Sequence, residues 1–187
     1  MNDLEAAAWE VHQFFTGLDL QYAVIGGFAV QHWGEPRFTG DIDLTVAAPL
    51  DDPEGFVRMV LERFSPRIDG ALEFALQNRV ILVAASNGLP LDITLGLPGY
   101  EDEMMARAIE LEMADGKRIR VCSAEDLVVH KAVAGRAQDI RDIEGVVYRQ
   151  GRQLDAEYIR RWLKAFSAIV DNPDLAELFE KPWQKLA

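Results

Sequence analysis

The chain has 187 residues, of which 49% are hydrophobic and 27% are charged. This balance is typical of a soluble globular protein with one domain and room for a small appendage, and no apolar run approaches the roughly 20 residues of a membrane-spanning helix. Asp and Glu outnumber Lys and Arg by 31 to 19, and the net charge of -12 argues against a broad surface for a nucleic-acid backbone. The single cysteine and an acidic N-terminus without a signal pattern predict a cytoplasmic protein.

The first 122 residues predict alternating helices and strands. Apolar residues at helical spacing predict helices at 4–15, 28–33, 51–64 and 100–108. Short apolar or alternating runs predict strands at 22–25, 41–46, 79–85, 91–95, 109–113 and 118–122. Turn residues at 86–88 and at 115–116 indicate that the flanking strands form hairpins.

The pattern changes to helix from Ser123, which we expect to be an N-cap. Predicted helices run to about 134, from 137 to 150, from 155 to 170, and from Asn172-Pro173 to about 182. The expected fold class is α+β, with a mixed sheet flanked by helices and a C-terminal helical bundle. We expect residues 1–122 to form the core and residues 123–187 to form a helical region packed on it.

Three aspartates stand in apolar strand contexts. Asp41 and Asp43 point to the same side of one strand, where two carboxylates need a cation or solvent, and Asp92 lies in a strand that a mixed sheet can place alongside. The Gly26-Gly27 corner opens a helix whose N-terminus favours anions. Each aspartate alone is compatible with a solvent-facing strand end. Together they predict a Mg²⁺ or Mn²⁺ site for phosphoryl chemistry, with Asp92 as a candidate base.

These motifs carry a resemblance to a known superfamily. Gly26-Gly27, the run from Arg37 to Asp43 and the later Leu91-Asp92-Ile93 together resemble the nucleotidyltransferase (polymerase-beta-like) superfamily. In the helical half, the segment from Ser123 to Leu127, Lys131 and the segment from Arg136 to Ile143 resemble the AbiEii-type nucleotidyltransferases, which are toxins of type IV toxin–antitoxin systems. The superfamily likeness covers residues 18–97, and the narrower likeness extends to about residue 147.

The resemblance implies a role for each matching residue. Asp41, Asp43 and Asp92 resemble the metal ligands of the superfamily. Residues 1–122 resemble its catalytic core. The implied nucleotide-binding residues are Gly26, Gly27, Arg37, Thr39, Lys131 and Asp139. Lys131 is also implied in catalysis, although a lysine on a helix is more often solvated. Asp139 is equally compatible with a charge that favours a helix N-terminus.

The implied reaction moves a nucleoside monophosphate from a nucleoside triphosphate to a hydroxyl and releases pyrophosphate. The narrower resemblance implies transfer RNA or another cellular target as acceptor and an antitoxin protein as partner. The lack of a long apolar run predicts no membrane involvement. Small antibiotics are the alternative acceptors. A second alternative is a module that binds a nucleotide or a partner without catalysis. For nucleic acid, the candidate contacts are Arg149, Arg152, Arg160, Arg161 and Lys164.

Overall fold

The computed structural model describes residues 2–186, which form two compact units. Unit 1 comprises residues up to 28 and residues 39–121. Unit 2 comprises residues 29–38 and the residues from 122 onward. The short segment 29–38 therefore groups with the C-terminal helices, whereas the sequence pattern indicated a single division after residue 122.

A mixed sheet lies at the centre of unit 1. Its strands are β1 (Tyr22–Val24), β2 (Ile42–Val46), β3 (Ser65–Pro66), β4 (Val80–Ala84), β5 (Pro90–Leu95), β6 (Ile109–Glu112) and β7 (Arg118–Val121). Among the described residues the seven strands follow the order β3-β4-β5-β2-β1-β7-β6. The pairs β2–β5 and β1–β7 are parallel, and the other neighbouring pairs are antiparallel. The two parallel pairs join strands that are distant in sequence.

Helices flank this sheet. They are α1 (Asp3–Gly17), α2 (Gly26–Trp33), α3 (Pro53–Arg63), α4 (Ala71–Asn78) and α5 (Tyr100–Arg107); α2 begins in unit 1 and ends in unit 2. The helix α1 packs on β7 and β2, α4 on β4, and α5 on β1. The α3 helix begins as predicted, since the Asp52 carboxylate accepts a hydrogen bond of 2.9 Å from the Gly55 N–H and Pro53 occupies the first turn.

Four helices form most of unit 2. They are α6 (Ala124–Ala134), α7 (Ala137–Gln150), α8 (Ala156–Ile169) and α9 (Glu177–Trp183). The helix α6 packs against α7 and α8, and α7 packs against α9. Ser123 caps α6 as predicted, because its hydroxyl accepts a hydrogen bond from the Asp126 N–H. Segment 29–38 is joined to α7 by hydrogen bonds of 2.7 Å from Arg149 to the Gly34 carbonyl and from Gln150 to the Trp33 carbonyl.

The predicted fold class is confirmed: a mixed sheet is flanked by helices and followed by a helical bundle. Residues 65–78 and the last helix are among the segments that differ from the sequence expectation. Residues 65–78, which the pattern left unassigned, contain β3 and α4. The last helix begins at Glu177, because residues 172–175 form turns in which the Asn172 side chain accepts a hydrogen bond from the Asp174 N–H. Within residues 2–186, no helix has the length and apolar character needed to cross a membrane.

Candidate active site

Asp41 and Asp43 lie at the head of β2 in unit 1. Asp41 directly precedes the strand, and its Oδ1 accepts a hydrogen bond of 2.7 Å from the Thr39 hydroxyl. Asp43 is half-buried between Ile42 and Leu44, whose side chains are fully buried. This alternation fixes the face of the sheet to which the Asp43 carboxylate belongs.

Asp92 lies beside Asp43. The parallel register of β2 and β5 makes these two residues direct neighbours across the strands. Residues opposite each other on adjacent strands share a face of the sheet, and the strands are about 4.8 Å apart. Asp92 is half-buried like Asp43, while its neighbours Leu91 and Ile93 are fully buried. The structure therefore brings two of the three predicted metal ligands side by side.

The two glycines of the predicted corner form the first residues of α2 and lie against the carboxylate-bearing segment. Gly26 has a φ of +62°, and a Cβ at this position would overlap the Asp43 carboxylate. A Cβ at Gly27 would overlap the Thr39 side chain. A hydrogen bond of 2.8 Å from the Ile25 N–H to the Asp43 carbonyl holds the corner against β2. Glycine at both positions therefore leaves the space that Asp43 and Thr39 occupy.

Replacing Gly26 by Ala is expected to reduce both stability and activity. The added Cβ meets two costs, a strained positive φ and overlap with the Asp43 carboxylate. We expect a loss of about 2 kcal/mol in unfolding free energy and a roughly hundredfold loss of transfer, because the carboxylate must move. Gly88→Ala is the matched control, since Gly88 has a φ of +82° with no atom within 4 Å of an added Cβ. Urea unfolding and activity assays on both variants separate overlap from strain. Equal losses of stability and activity in the two variants would contradict an overlap between the added Cβ and the Asp43 carboxylate.

Arg67 binds the third carboxylate and was not among the residues singled out by the sequence. Its guanidinium forms an ion pair with Asp92 Oδ1, and the two side chains are 30% and 35% exposed. The Arg67 backbone N–H donates a 3.1 Å hydrogen bond to the Leu82 carbonyl on β4. Arg67 therefore supplies a cation to Asp92.

The donor chemistry of this face fits a hard divalent metal. Asp43 and Asp92 offer carboxylate oxygens from adjacent strands, Asp41 lies two residues before Asp43, and the Asp43 carboxylate lies against Gly26. Such oxygens are the ligands that Mg²⁺ and Mn²⁺ prefer. In the described part of the chain, no group of three or more His, Cys, Asp or Glu side chains is already gathered as a metal site. Coordination would therefore require side-chain movement, including movement of Arg67 from Asp92.

Lys131 and Asp139 lie together in a buried ion-pair network in unit 2. The Lys131 ammonium lies 2.8 Å from Asp139 Oδ1 and 2.8 Å from Asp142 Oδ2, and its side chain is only 6% exposed. Arg37 binds both Asp142 oxygens at 2.9 Å, and Arg136 binds Asp139 Oδ2 at 2.7 Å. Three cations and two carboxylates thus alternate through the network.

The cations keep both carboxylates ionised. Burial raises the pKa of the Asp142 carboxyl, but hydrogen bonds from Arg37, Lys131 and Gln138 outweigh burial and lower this pKa to about 2. Burial likewise opposes ionisation of Asp139, and hydrogen bonds from Arg136 and Lys131 prevail, so that its pKa is also lowered. At neutral pH both groups therefore bind cations and not protons.

A model of a family of nucleotidyltransferases of unknown function, DUF6036, matches residues 2–185. The chain belongs to this family. The superfamily part of the predicted resemblance is therefore confirmed, while the likeness to AbiEii-type toxins stays a prediction. None of the curated protein sequences matches this DUF6036 member significantly.

Solved structures with the same fold share little sequence with this DUF6036 chain. An antigenic nucleotidyltransferase-like protein from Paracoccidioides brasiliensis has 14% identity and a TM-score of 0.55, with 94% of this chain and 91% of that chain covered. The antibiotic-resistance factor ANT(2'')-Ia has 19% identity and a TM-score of 0.52, with 89% and 94% covered. The lincosamide antibiotic adenylyltransferase LnuA has 14% identity and a TM-score of 0.50, with 78% and 98% covered. At these identities the likeness establishes the fold alone.

Four of the five basic residues considered for nucleic acid contact other residues of unit 2. Arg160 pairs with Glu180 at 2.6 Å. Arg149 binds the Gly34 carbonyl, and Arg152 binds the Leu186 carbonyl at 3.0 Å. Arg161 lies over the Trp162 ring at 5.2 Å, and Lys164 is an exposed residue of α8. The ion pair with Glu180 neutralises Arg160, whereas contacts with carbonyl oxygens or aromatic rings leave the charge of a guanidinium in place, and all five residues are exposed.

Sequence reasoning missed two residues that organise the charged groups. Asp142 was not among the candidate site residues, and its side chain is buried and salt-bridged to Lys131 and Arg37. Its spacing of three residues from Asp139 is a usable signal, because residues three apart share a helix face. Arg67 left no comparable signal, since its segment has no strand or helix pattern of its own.

Proposed function

We propose that this member of DUF6036 is a metal-dependent nucleotidyltransferase. It moves a nucleoside monophosphate from a nucleoside triphosphate to an acceptor hydroxyl and releases pyrophosphate. The observation that carries this proposal is the register that sets Asp43 beside Asp92, with Asp41 two residues earlier and Gly26 against the Asp43 carboxylate. The family and the fold support the same reaction class.

The unit 1 residues have distinct roles in this proposal. Asp41, Asp43 and Asp92 hold the divalent metal, which when bound neutralises triphosphate charge and polarises the α-phosphate. Asp92 is also the candidate base that accepts the proton of the attacking hydroxyl. The N-terminus of α2 offers backbone N–H groups to the phosphates, and Gly26 and Gly27 allow their close approach.

The unit 2 residues have a positioning role first. Lys131 and Asp139 retain their proposed nucleotide role through Arg37, since the network of Lys131, Asp139 and Asp142 holds the Arg37 guanidinium by two hydrogen bonds. Arg37 stands four residues before Asp41 in the chain and is the proposed phosphate contact. Its side chain is 32% exposed, so part of the guanidinium surface faces solvent.

A small hydroxyl-bearing molecule is the favoured acceptor. The net charge of -12 opposes a polyanionic acceptor, and Glu180 neutralises Arg160, one of the cationic residues considered for transfer RNA. Among structures with this fold, one is bound to lincomycin and another to adenylyl-2''-tobramycin. The toxin interpretation, with transfer RNA as acceptor and an antitoxin as partner, remains supported by the helical-half motifs alone.

One incubation tests these alternatives together. The protein is mixed with each of the four α-labelled nucleoside triphosphates and Mg²⁺, then with tobramycin, lincomycin, total transfer RNA or a small-molecule cell extract. We expect Mg²⁺-dependent pyrophosphate release and label on a small molecule. Label on transfer RNA would support the toxin interpretation. Nucleotide binding without pyrophosphate release would indicate the non-catalytic module. The absence of both Mg²⁺-dependent nucleotide binding and pyrophosphate release, with every acceptor, would refute the proposal.

A further inference from the structure

Arg67 lies in a row of residues that crosses four neighbouring segments of the unit 1 sheet. Its backbone N–H donates to the Leu82 carbonyl directly after β3. Leu82 is the cross-strand neighbour of Asp92, and Asp92 is the cross-strand neighbour of Asp43. The row therefore runs Arg67, Leu82, Asp92, Asp43 from the edge of the sheet to its interior.

All members of this row use one face of the sheet. Leu82, Asp92 and Asp43 are half-buried, and they alternate along their strands with fully buried residues such as Ile81 and Ile93. Arg67 and Asp92 are two strand spacings apart, about 10 Å between backbones. The extended side chains of an arginine and an aspartate together span this distance, and the Arg67 guanidinium ends on Asp92 Oδ1.

The guanidinium and a metal ion cannot share the same Asp92 oxygen. Both are cations, so they repel each other at one carboxylate. The ion pair is about one-third exposed on both sides, and partly solvated pairs of this kind are weak. A divalent ion that also binds Asp43 carries twice the charge and can displace the arginine.

The segment that carries Arg67 is held by few contacts at the edge of the sheet and can move. The adjoining strand β3 has two residues, Ser65 and Pro66, and both are exposed at the edge of the sheet. Gly70, with a φ of +65°, follows three residues after Arg67. Short edge segments with exposed hydrogen bonds open at low free energy. Withdrawal of the guanidinium therefore does not require disruption of the sheet.

We propose that Arg67 is an internal counter-ion that competes with the divalent metal for Asp92 and thereby sets metal affinity. It neutralises the Asp43–Asp92 face when metal is absent, and it leaves Asp92 when metal binds. This inference rests on the proposed function only in taking these carboxylates as the metal site.

Binding of Mn²⁺ without nucleotide tests the proposal. Free Mn²⁺ is measured by electron paramagnetic resonance in titrations of the wild type, Arg67→Gln and Arg58→Gln. We expect about fivefold tighter binding for Arg67→Gln, because the competing cation is gone. Arg58→Gln removes the same charge from an exposed pair with Glu54 on α3, and its affinity should match the wild type. Arg67→Lys keeps a cation but lacks the planar guanidinium, and its Mn²⁺ affinity should lie between those of the wild type and Arg67→Gln.

Each outcome decides the inference. Equal or weaker Mn²⁺ binding by Arg67→Gln, equal tightening in Arg58→Gln, or no Mn²⁺ binding by any variant would overturn it. If Arg67→Gln does not fold, the Mn²⁺ affinity of Arg67→Lys decides. An affinity equal to that of the wild type would overturn the inference, and tighter binding would support it. Pyrophosphate release by the wild type is measured separately. Tighter Mn²⁺ binding by Arg67→Gln without pyrophosphate release by the wild type would refute the proposed function and support the role of Arg67 as counter-ion. Pyrophosphate release together with unchanged Mn²⁺ affinity in Arg67→Gln would support the proposed function and refute the counter-ion.

Discussion

Replacing Asp43 by Asn is expected to reduce nucleotidyl transfer about a thousandfold. The change keeps the size of the side chain and removes one negative charge from the pair formed with Asp92. A metal ligand contributes several kcal/mol to stabilising the charge of the reacting phosphate, and about 4 kcal/mol corresponds to three orders of magnitude in rate. Folding should be preserved, because the hydrogen bond from the Ile25 N–H uses the backbone carbonyl of Asp43.

The measurement is pyrophosphate release at several Mg²⁺ concentrations, with thermal unfolding of the same samples. Asp69→Asn is the matched control, since Asp69 is an exposed residue of unit 1 and the change in charge is identical. We expect wild-type activity for Asp69→Asn and an unchanged or slightly raised unfolding midpoint for Asp43→Asn, because repulsion with Asp92 is relieved. Activity within tenfold of the wild type in Asp43→Asn would place the metal site elsewhere.

Local patterns in the sequence carried most of the fold. The strand that begins after Asp41 was predicted by alternation, and the caps at Asp52 and Ser123 were predicted by residue type. These features depend on near neighbours in the chain, which is why one sequence is enough to find them. The helices of unit 2 followed from apolar spacing in the same way, with the start of α9 as the exception.

Register and sheet order lie beyond local patterns. The position of Asp92 in a strand was predictable, but the register that sets it beside Asp43 depends on the pairing of β2 with β5, which are separated in the chain by two helices and two strands. The position of Arg67 likewise depends on strand pairing, because its segment pairs with β4. A two-residue strand is too short to show alternating hydrophobicity, so neither β3 nor the arginine that follows it could be recognised from the sequence.

The interpretation of Lys131 changes most when its surroundings are known. The sequence offered an ammonium that either reaches phosphates or is solvated. The structure surrounds it with Asp139 and Asp142 instead, each at 2.8 Å. A cation that already serves two buried carboxylates is held in place by them, so its first contribution is to the folding of unit 2 and to the position of Arg37.

Replacing Lys131 by Met is therefore expected to destabilise the protein by about 3 kcal/mol. Removal of one partner from a buried ion pair leaves uncompensated charge, which typically costs about 3 to 5 kcal/mol. The lower end applies here, because Arg136 still pairs with Asp139, and Arg37 and Gln138 still bind Asp142. Met fills the space of the aliphatic stem, so the loss reports mainly on charge.

Urea unfolding of Lys131→Met and Lys164→Met measures this difference, since Lys164 is exposed on α8 and undergoes the same chemical change. We expect Lys164→Met to lie within about 0.5 kcal/mol of the wild type. Triphosphate affinity, measured on the folded fraction, should weaken in Lys131→Met because Arg37 loses its support. Wild-type stability together with lost affinity would assign Lys131 to the phosphates themselves, and the network would then have only a minor part in folding.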